Sequence, residues 1–174
     1  MSGAILYANY RQRLKQIETE GVKDMLTVFD VAKFFIHLAN ETGSYISNLK
    51  LQKLVYYAQA WHLALHDTPL FEDEFEAWVH GPVVPVLYQE YKQFKWKPIV
   101  EEATEPKFTE DVKAFLDEVA EVYFACDAYE LEQMTHQEDP WLIARGGLAQ
   151  DAPCNAIISK ELMQEYYKAR GEED

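Results

Sequence analysis

Apolar residues recur three and four positions apart over most of this chain, which is the spacing of amphipathic helices. The longest such stretch runs from Asn48 to Leu65. Its apolar positions are Leu51, Leu54, Val55, Ala58, Trp61 and Leu65. Ser47 can cap its start with a side-chain oxygen, while Asp67 and Pro69 mark its end. We predict that this is the central helix on which the rest of the chain packs.

Further helices are predicted on both sides of the central one. Residues that suit a cap or a first helical turn mark their starts, namely Thr27 or Asp30, Pro85, Thr109, Pro140 and Ser159. Gly43 and the pair Gly146-Gly147 mark two of the ends. Residues 129–144 hold one or two short helices, and residues 147–155 are predicted to form a loop.

The pattern changes between the central helix and Pro85. Phe75, Ala77 and Val79 alternate with polar Glu76, which indicates a short strand or extended segment within residues 70–79. The tripeptide His80-Gly81-Pro82 then predicts a tight turn. The fold class is therefore mainly α, a single helical domain with a small β element around residues 70–80.

The first residues form a separate segment. Leu6, Tyr10, Leu14 and Ile17 share one face of a predicted helix over Ile5–Ile17. We interpret residues 1–24 as an N-terminal helical extension and residues 25–174 as the domain. The apolar face of this predicted helix can dock on the protein's own core, pair with another copy or contact a partner, and the sequence leaves these three possibilities open.

Charge is distributed unevenly along the 174 residues, whose formal net charge is -14. Residues 1–100 carry ten basic and eleven acidic side chains, whereas residues 101–174 carry six and nineteen. Because an acidic surface repels phosphate, we expect no nucleic-acid binding; a basic protein partner fits better, although the acidic part can also serve solubility alone. The basic and aromatic run KQFKWKP at residues 92–98 is interpreted as a solvated helix end.

Side chains with catalytic or metal chemistry are sparse. His62 and His66 lie four apart, but Leu63 stands where a zinc protease would need its glutamate. His80 and His136 are interpreted as structural residues that orient turns. No GxGxxG or GxxxxGK[ST] phosphate loop occurs in the sequence. We expect no enzyme activity, no catalytic residue, no metal and no cofactor.

The two cysteines bear on the cellular compartment. Cys126 and Cys154 are the only ones, and neither belongs to a CxxC pair or adjoins a histidine. The N-terminus lacks a secretory leader, and no apolar run approaches the roughly 18 residues of a membrane span. The expected location is the cytoplasm, with both thiols free and no membrane association.

Five segments carry a family resemblance. In chain order they read LTVFDVAKFFIHLA, NLKLQKLVYYAQAWHLAL, PLF, FEAWVHGPVVPVLYQEYK and MTHQEDPWLIAR. Together they resemble the SocA-like antitoxin family, also called the Panacea domain and often found in phage-associated proteins. The resemblance runs from about Leu26 to Arg145.

The resemblance implies an antitoxin that neutralises a cognate protein toxin encoded beside it. It does so by direct binding or, alternatively, as an adaptor that delivers the toxin to a protease. A different class of protein, a prophage-encoded regulator or enzyme, is the remaining alternative. From the residues we predict a rigid partner-binding patch with an acidic rim. The patch consists of Trp78, His80, Gly81 and Pro82, and the rim of Glu72, Asp73, Glu74 and Glu76. The oligomeric state and the toxin remain open.

Overall fold

The computed structural model of the protein describes residue 8 and residues 25–172. Its elements in chain order are α1 (Val28–Thr42), α2 (Asn48–His66), β1 (Phe75–Trp78), β2 (Gly81–Val83), α3 (Pro85–Tyr91), a 3-10 helix (Lys92–Phe94), α4 (Glu110–Tyr123), α5 (Ala128–Thr135), α6 (Asp139–Arg145), β3 (Ile157–Ile158) and α7 (Lys160–Glu172). The predicted mainly α fold with a small β element is confirmed. The predicted helix over Ile5–Ile17 and the extension 1–24 lie outside these residues.

Helix α2 is the centre of the molecule. Between Asn48 and Leu65 every side chain except that of Leu49 is buried, because α1, α4, α5, α7 and the β-hairpin all pack against this helix. The predicted start is confirmed, since Ser47 Oγ accepts a hydrogen bond from the Lys50 backbone N–H at 3.2 Å. The predicted amphipathic character is wrong in one respect, because α2 has no solvent-facing side along this length.

Polar residues of α2 are buried because they bond to the backbone of the segment that follows. The amide of Gln59 accepts from the Leu70 N–H and donates to the Phe71 carbonyl, both at 2.7 Å. The amide oxygen of Gln52 accepts from the Val84 N–H at 2.9 Å. A buried amide is costly unless hydrogen-bonded, so each of these side chains also fixes where the chain passes.

The sheet is small and antiparallel, with strand order β2-β1-β3. Trp78 lies opposite Gly81, so Val79 and His80 form the connection between β1 and β2. The strand therefore ends one residue before the predicted Val79. On its other side β1 pairs with β3, where Phe75 lies opposite Ile158.

Helix α6 holds strand β1 in place through two hydrogen bonds. The indole of Trp141 donates to the Trp78 carbonyl at 2.8 Å, and the guanidinium of Arg145 donates to the Ala77 carbonyl at 2.9 Å. Pro140 lies in the first turn of α6, as predicted. Residues 129–144 thus hold parts of two short helices, α5 and α6, and the second anchors the strand.

Helix α7 closes the core over α2. Tyr167 is buried against the rings of Tyr57 and Trp61. Its hydroxyl donates to the buried carboxylate of Glu138 at 2.6 Å, and Arg170 donates to the other carboxylate oxygen at 2.6 Å. Burial raises the pKa of Glu138, and these donors offset part of the cost of burying its charge.

Ser159 caps the start of α7, as predicted, by accepting from the Leu162 N–H at 3.1 Å. No helix in the described part of the chain has the length and apolar character that crossing a bilayer requires.

Candidate partner-binding site

Trp78 at the end of β1 and His80 in the connection that follows both line two neighbouring pockets at the surface. The first, which we call the aromatic pocket, has a volume of about 270 Å³. Its buried lining comes from Asn48, Gln52 and Val83, and its more exposed lining from Leu49, Trp78, His80, Tyr88, Lys92, Lys95 and Trp96. The second pocket is more open and includes Glu76 and Cys154 beside Trp78 and His80.

Ring contacts define the shape of the aromatic pocket. The rings of Trp78 and Tyr88 meet edge to face with centroids 5.0 Å apart. The His80 and Trp96 rings meet in the same way at 5.4 Å. Trp96 nevertheless keeps 69% of its surface exposed. A tryptophan this exposed beside a pocket is typical of an interface anchor rather than of a core residue.

A strained turn places the last two lining residues. Lys95 has φ 54° and ψ -119°, a conformation that non-glycine residues rarely adopt. Its backbone N–H donates to the Lys92 carbonyl at 3.0 Å and closes the 3-10 helix. The strain costs on the order of 1–3 kcal/mol and turns the chain so that Lys95 and Trp96 both line the pocket. The run 92–98 is thus more than a solvated helix end.

Two lysines line the aromatic pocket although the chain is acidic. No aspartate or glutamate lines it. Lys92 donates to the neutral amide of Gln89 at 2.6 Å, and neither Lys92 nor Lys95 is paired with a carboxylate among residues 25–172. Both ammonium groups are exposed, so their charge is available to a bound partner.

A fully buried lysine supports the turn from below. The Lys53 ammonium donates to the Pro82 carbonyl at 3.0 Å. Burial disfavours the ammonium and lowers the pKa of Lys53 to about 7, while the carboxylate of Glu132 acts in the opposite direction. The bond from Lys53 joins α2 to β2 next to Val83, which lines the pocket.

His80 and His136 both approach the carboxylate of Glu132. Nδ1 of His80 is 3.0 Å from a Glu132 carboxylate oxygen, and Nε2 of His136 is 4.0 Å from the same oxygen. The His136 ring stacks on Trp141 at 4.2 Å, and burial lowers the pKa of His136. The contact with Glu132 fixes the ring of His80 at the pocket rim.

Gly81 and Pro82, predicted as part of the contact patch, are buried. Gly81 has φ +94°, and a Cβ there would lie 2.6 Å from Cε of Lys53 and 2.7 Å from Oγ1 of Thr135. Only glycine fits this close approach. These two residues therefore contribute to the patch indirectly, by holding Trp78 and His80 in place.

The four residues of the predicted acidic rim do not lie together. Glu76 accepts a hydrogen bond from the Trp78 indole at 2.6 Å and belongs to the patch. Glu72, Asp73 and Glu74 precede β1 and lie at the end of that strand away from Trp78. There the ammonium of Lys160 donates to Glu74 at 2.6 Å and to the Glu72 carbonyl at 2.9 Å.

The remaining candidates for chemistry do not line the aromatic pocket. The rings of His62 and His66 stack at 4.3 Å, and Nδ1 of His62 is 2.7 Å from the Thr68 carbonyl oxygen. Within residues 25–172, no three His, Cys, Asp or Glu side chains are grouped so as to hold a metal ion. Cys126 and Cys154 are both free thiols and only partly buried.

Most residues of the aromatic pocket lie within the stretch that matches a known protein family. The family model described as antitoxin SocA-like, Panacea domain, matches residues 51–142, from α2 into α6. Antitoxin SocA of Caulobacter vibrioides (strain NA1000 / CB15N) is 44% identical over 59 residues. That stretch is 34% of this chain and 31% of the relative, so the match spans less than a third of the relative's length. No solved structure matches the chain.

Proposed function

This chain belongs to the SocA-like antitoxin family that carries the Panacea domain, and on that premise we propose that it neutralises a cognate protein toxin by binding it directly. The observation that carries the proposal is the exposed ring of Trp96 beside the aromatic pocket. Interfaces draw most of their binding energy from a few such aromatic anchors. The antitoxin acts by covering the toxin's surface and needs no catalytic group, metal or cofactor of its own.

Rigidity supports this reading of the site. Trp78 is held by the indole of Trp141, which bonds to its carbonyl, and His80 is held by Glu132. A preformed patch loses little conformational freedom on binding, so more of the contact energy appears as affinity. Trp78, His80 and Glu76 contact the toxin, while Gly81 and Pro82 hold the patch in place.

Charge and compartment complete the proposal. The acidic part of the chain, with Glu72, Asp73 and Glu74 in addition, favours a toxin with a basic surface. Free Cys126 and Cys154 support a reducing cytoplasm as the site of action.

Co-expression tests the proposal. The gene encoded beside this one is induced in bacteria with and without the antitoxin, and growth and complex formation are measured. We expect arrest by the neighbour alone, restored growth with the antitoxin, and a stoichiometric complex on gel filtration. Trp96→Ala should weaken rescue, whereas Ile143→Ala, which truncates an exposed apolar residue on α6, should not. Growth arrest that the antitoxin leaves unrelieved contradicts the proposal.

The half-life of the toxin distinguishes direct neutralisation from delivery to a protease. In the same cells, an immunoblot after translation is stopped gives the half-life of the toxin. Direct binding predicts an unchanged or longer half-life, because a bound toxin is protected. A half-life that shortens several-fold, and recovers when the host proteases are deleted, would instead assign the adaptor role.

A further inference from the structure

The size of the aromatic pocket restricts its occupant. Its volume of about 270 Å³ is at the lower end of the roughly 300–1,000 Å³ typical of sites for small molecules and cofactors. One or two side chains of a protein partner fit such a volume. The pocket therefore suits an anchor from a bound protein.

The buried polar groups of the pocket are already used. Asn48 donates to the Tyr88 carbonyl at 3.2 Å and accepts from the amide of Gln52, also at 3.2 Å. Gln52 in turn accepts from the Val84 N–H. What remains for an occupant is the apolar surface of the rings and the positive charge of the two lysines.

We propose that the aromatic pocket binds an acidic anchor of the toxin, a short segment in which a large apolar side chain is flanked by an aspartate or glutamate. The apolar side chain packs between Trp78, Tyr88 and Trp96, and the carboxylate lies between Lys92 and Lys95. This inference rests on the proposed function. Since the chain's net charge of -14 repels acidic proteins, the anchor belongs to a toxin that is basic elsewhere.

Calorimetric titration of the full-length antitoxin with the purified toxin tests the pocket. In the variant K92E/K95E both lysines become carboxylates, and we expect the Kd to rise about tenfold or more, because like charges then face each other. The matched control is K97E, which makes the same charge change in the same run at an exposed residue that does not line the pocket. Its Kd should stay within about twofold of wild type. Circular dichroism and Tm confirm that each variant is folded. If K92E/K95E is not folded, K92Q/K95Q takes its place.

A charge swap completes the test. A photo-reactive group at position 96 identifies the toxin segment in the pocket, and its acidic residue is changed to lysine. We expect this toxin variant to bind K92E/K95E more tightly than it binds the wild-type antitoxin. Unchanged affinity of K92E/K95E for the natural toxin, or an equal loss with K97E, overturns the pocket proposal and leaves direct binding intact. A wild-type antitoxin that does not bind the toxin at all overturns both.

Discussion

At the scale of single residues, Gly81 is a position where the backbone passes close to the buried lysine Lys53. A methyl group at this site would press on Lys53 and Thr135, and the residue would also be held at φ +94°. We expect Gly81→Ala to lower the free energy of unfolding by about 2–4 kcal/mol. Urea unfolding measures this.

Gly147 provides the matched control. Its φ of +83° is similar, but nothing lies within 4 Å of a Cβ placed there. Gly147→Ala should therefore show the backbone cost alone, about 1 kcal/mol. Equal losses for the two variants would show that the contact with Lys53 is unimportant.

Lys53 makes stability depend on pH. Its pKa of about 7 in the folded protein lies below the value of about 10.4 for an exposed lysine, so the unfolded chain binds more protons between these values. The free energy of unfolding should rise with pH across this window, by at most about 1.4 kcal/mol per pH unit. Below the window, the cost of burying the Lys53 ammonium should no longer change with pH.

Urea unfolding between about pH 7 and 9 checks this dependence, because tyrosines of the unfolded chain titrate at a pKa of about 10. Lys53→Met should flatten the slope, although it also leaves the Pro82 carbonyl without its donor. Lys33→Met, at an exposed lysine of α1, should keep the wild-type slope. If Lys53→Met retains that slope as well, another group is responsible.

At the scale of elements, α7 acts as the lid of the core. Tyr167 is fully buried, and it also donates to Glu138. Tyr167→Ala should lower the free energy of unfolding by about 3–5 kcal/mol, since it opens a cavity and removes a donor from a buried carboxylate. Tyr166→Ala, its half-buried neighbour, should cost about 1 kcal/mol. Chemical denaturation compares the two, and a similar loss in both would argue against this role for α7.

The elements themselves could be predicted because their signals are local. Ser47, Thr109 and Ser159 cap their helices in the structure, as their positions before apolar repeats predicted. The burial of α2 on every side could not be predicted, because it depends on partners far along the chain, such as α7. The same holds for the aromatic pocket. Its cations and rings were visible in the run 92–98, but the turn at Lys95 that brings them to Trp78 leaves no local signal.

At the scale of the whole molecule, the acidic charge should govern how fast the proposed toxin associates. A chain with a net charge of -14 attracts a basic partner over long distances, and salt screens that attraction. We expect the association rate constant to fall about tenfold between 50 and 500 mM NaCl, with the dissociation rate constant changed less than about threefold. Stopped-flow fluorescence measures both. A salt-independent association rate would leave the acidic part a role in solubility alone.

The central place of α2 has a consequence during synthesis. The ribosome makes this helix well before α7, which covers it. Roughly 100 residues separate the two, which takes on the order of 5–20 s to translate. During that interval the nascent chain exposes Tyr56, Tyr57 and Trp61 to chaperones and proteases. Each new molecule of this protein is therefore exposed to proteases until α7 is made, and slower translation lengthens that interval.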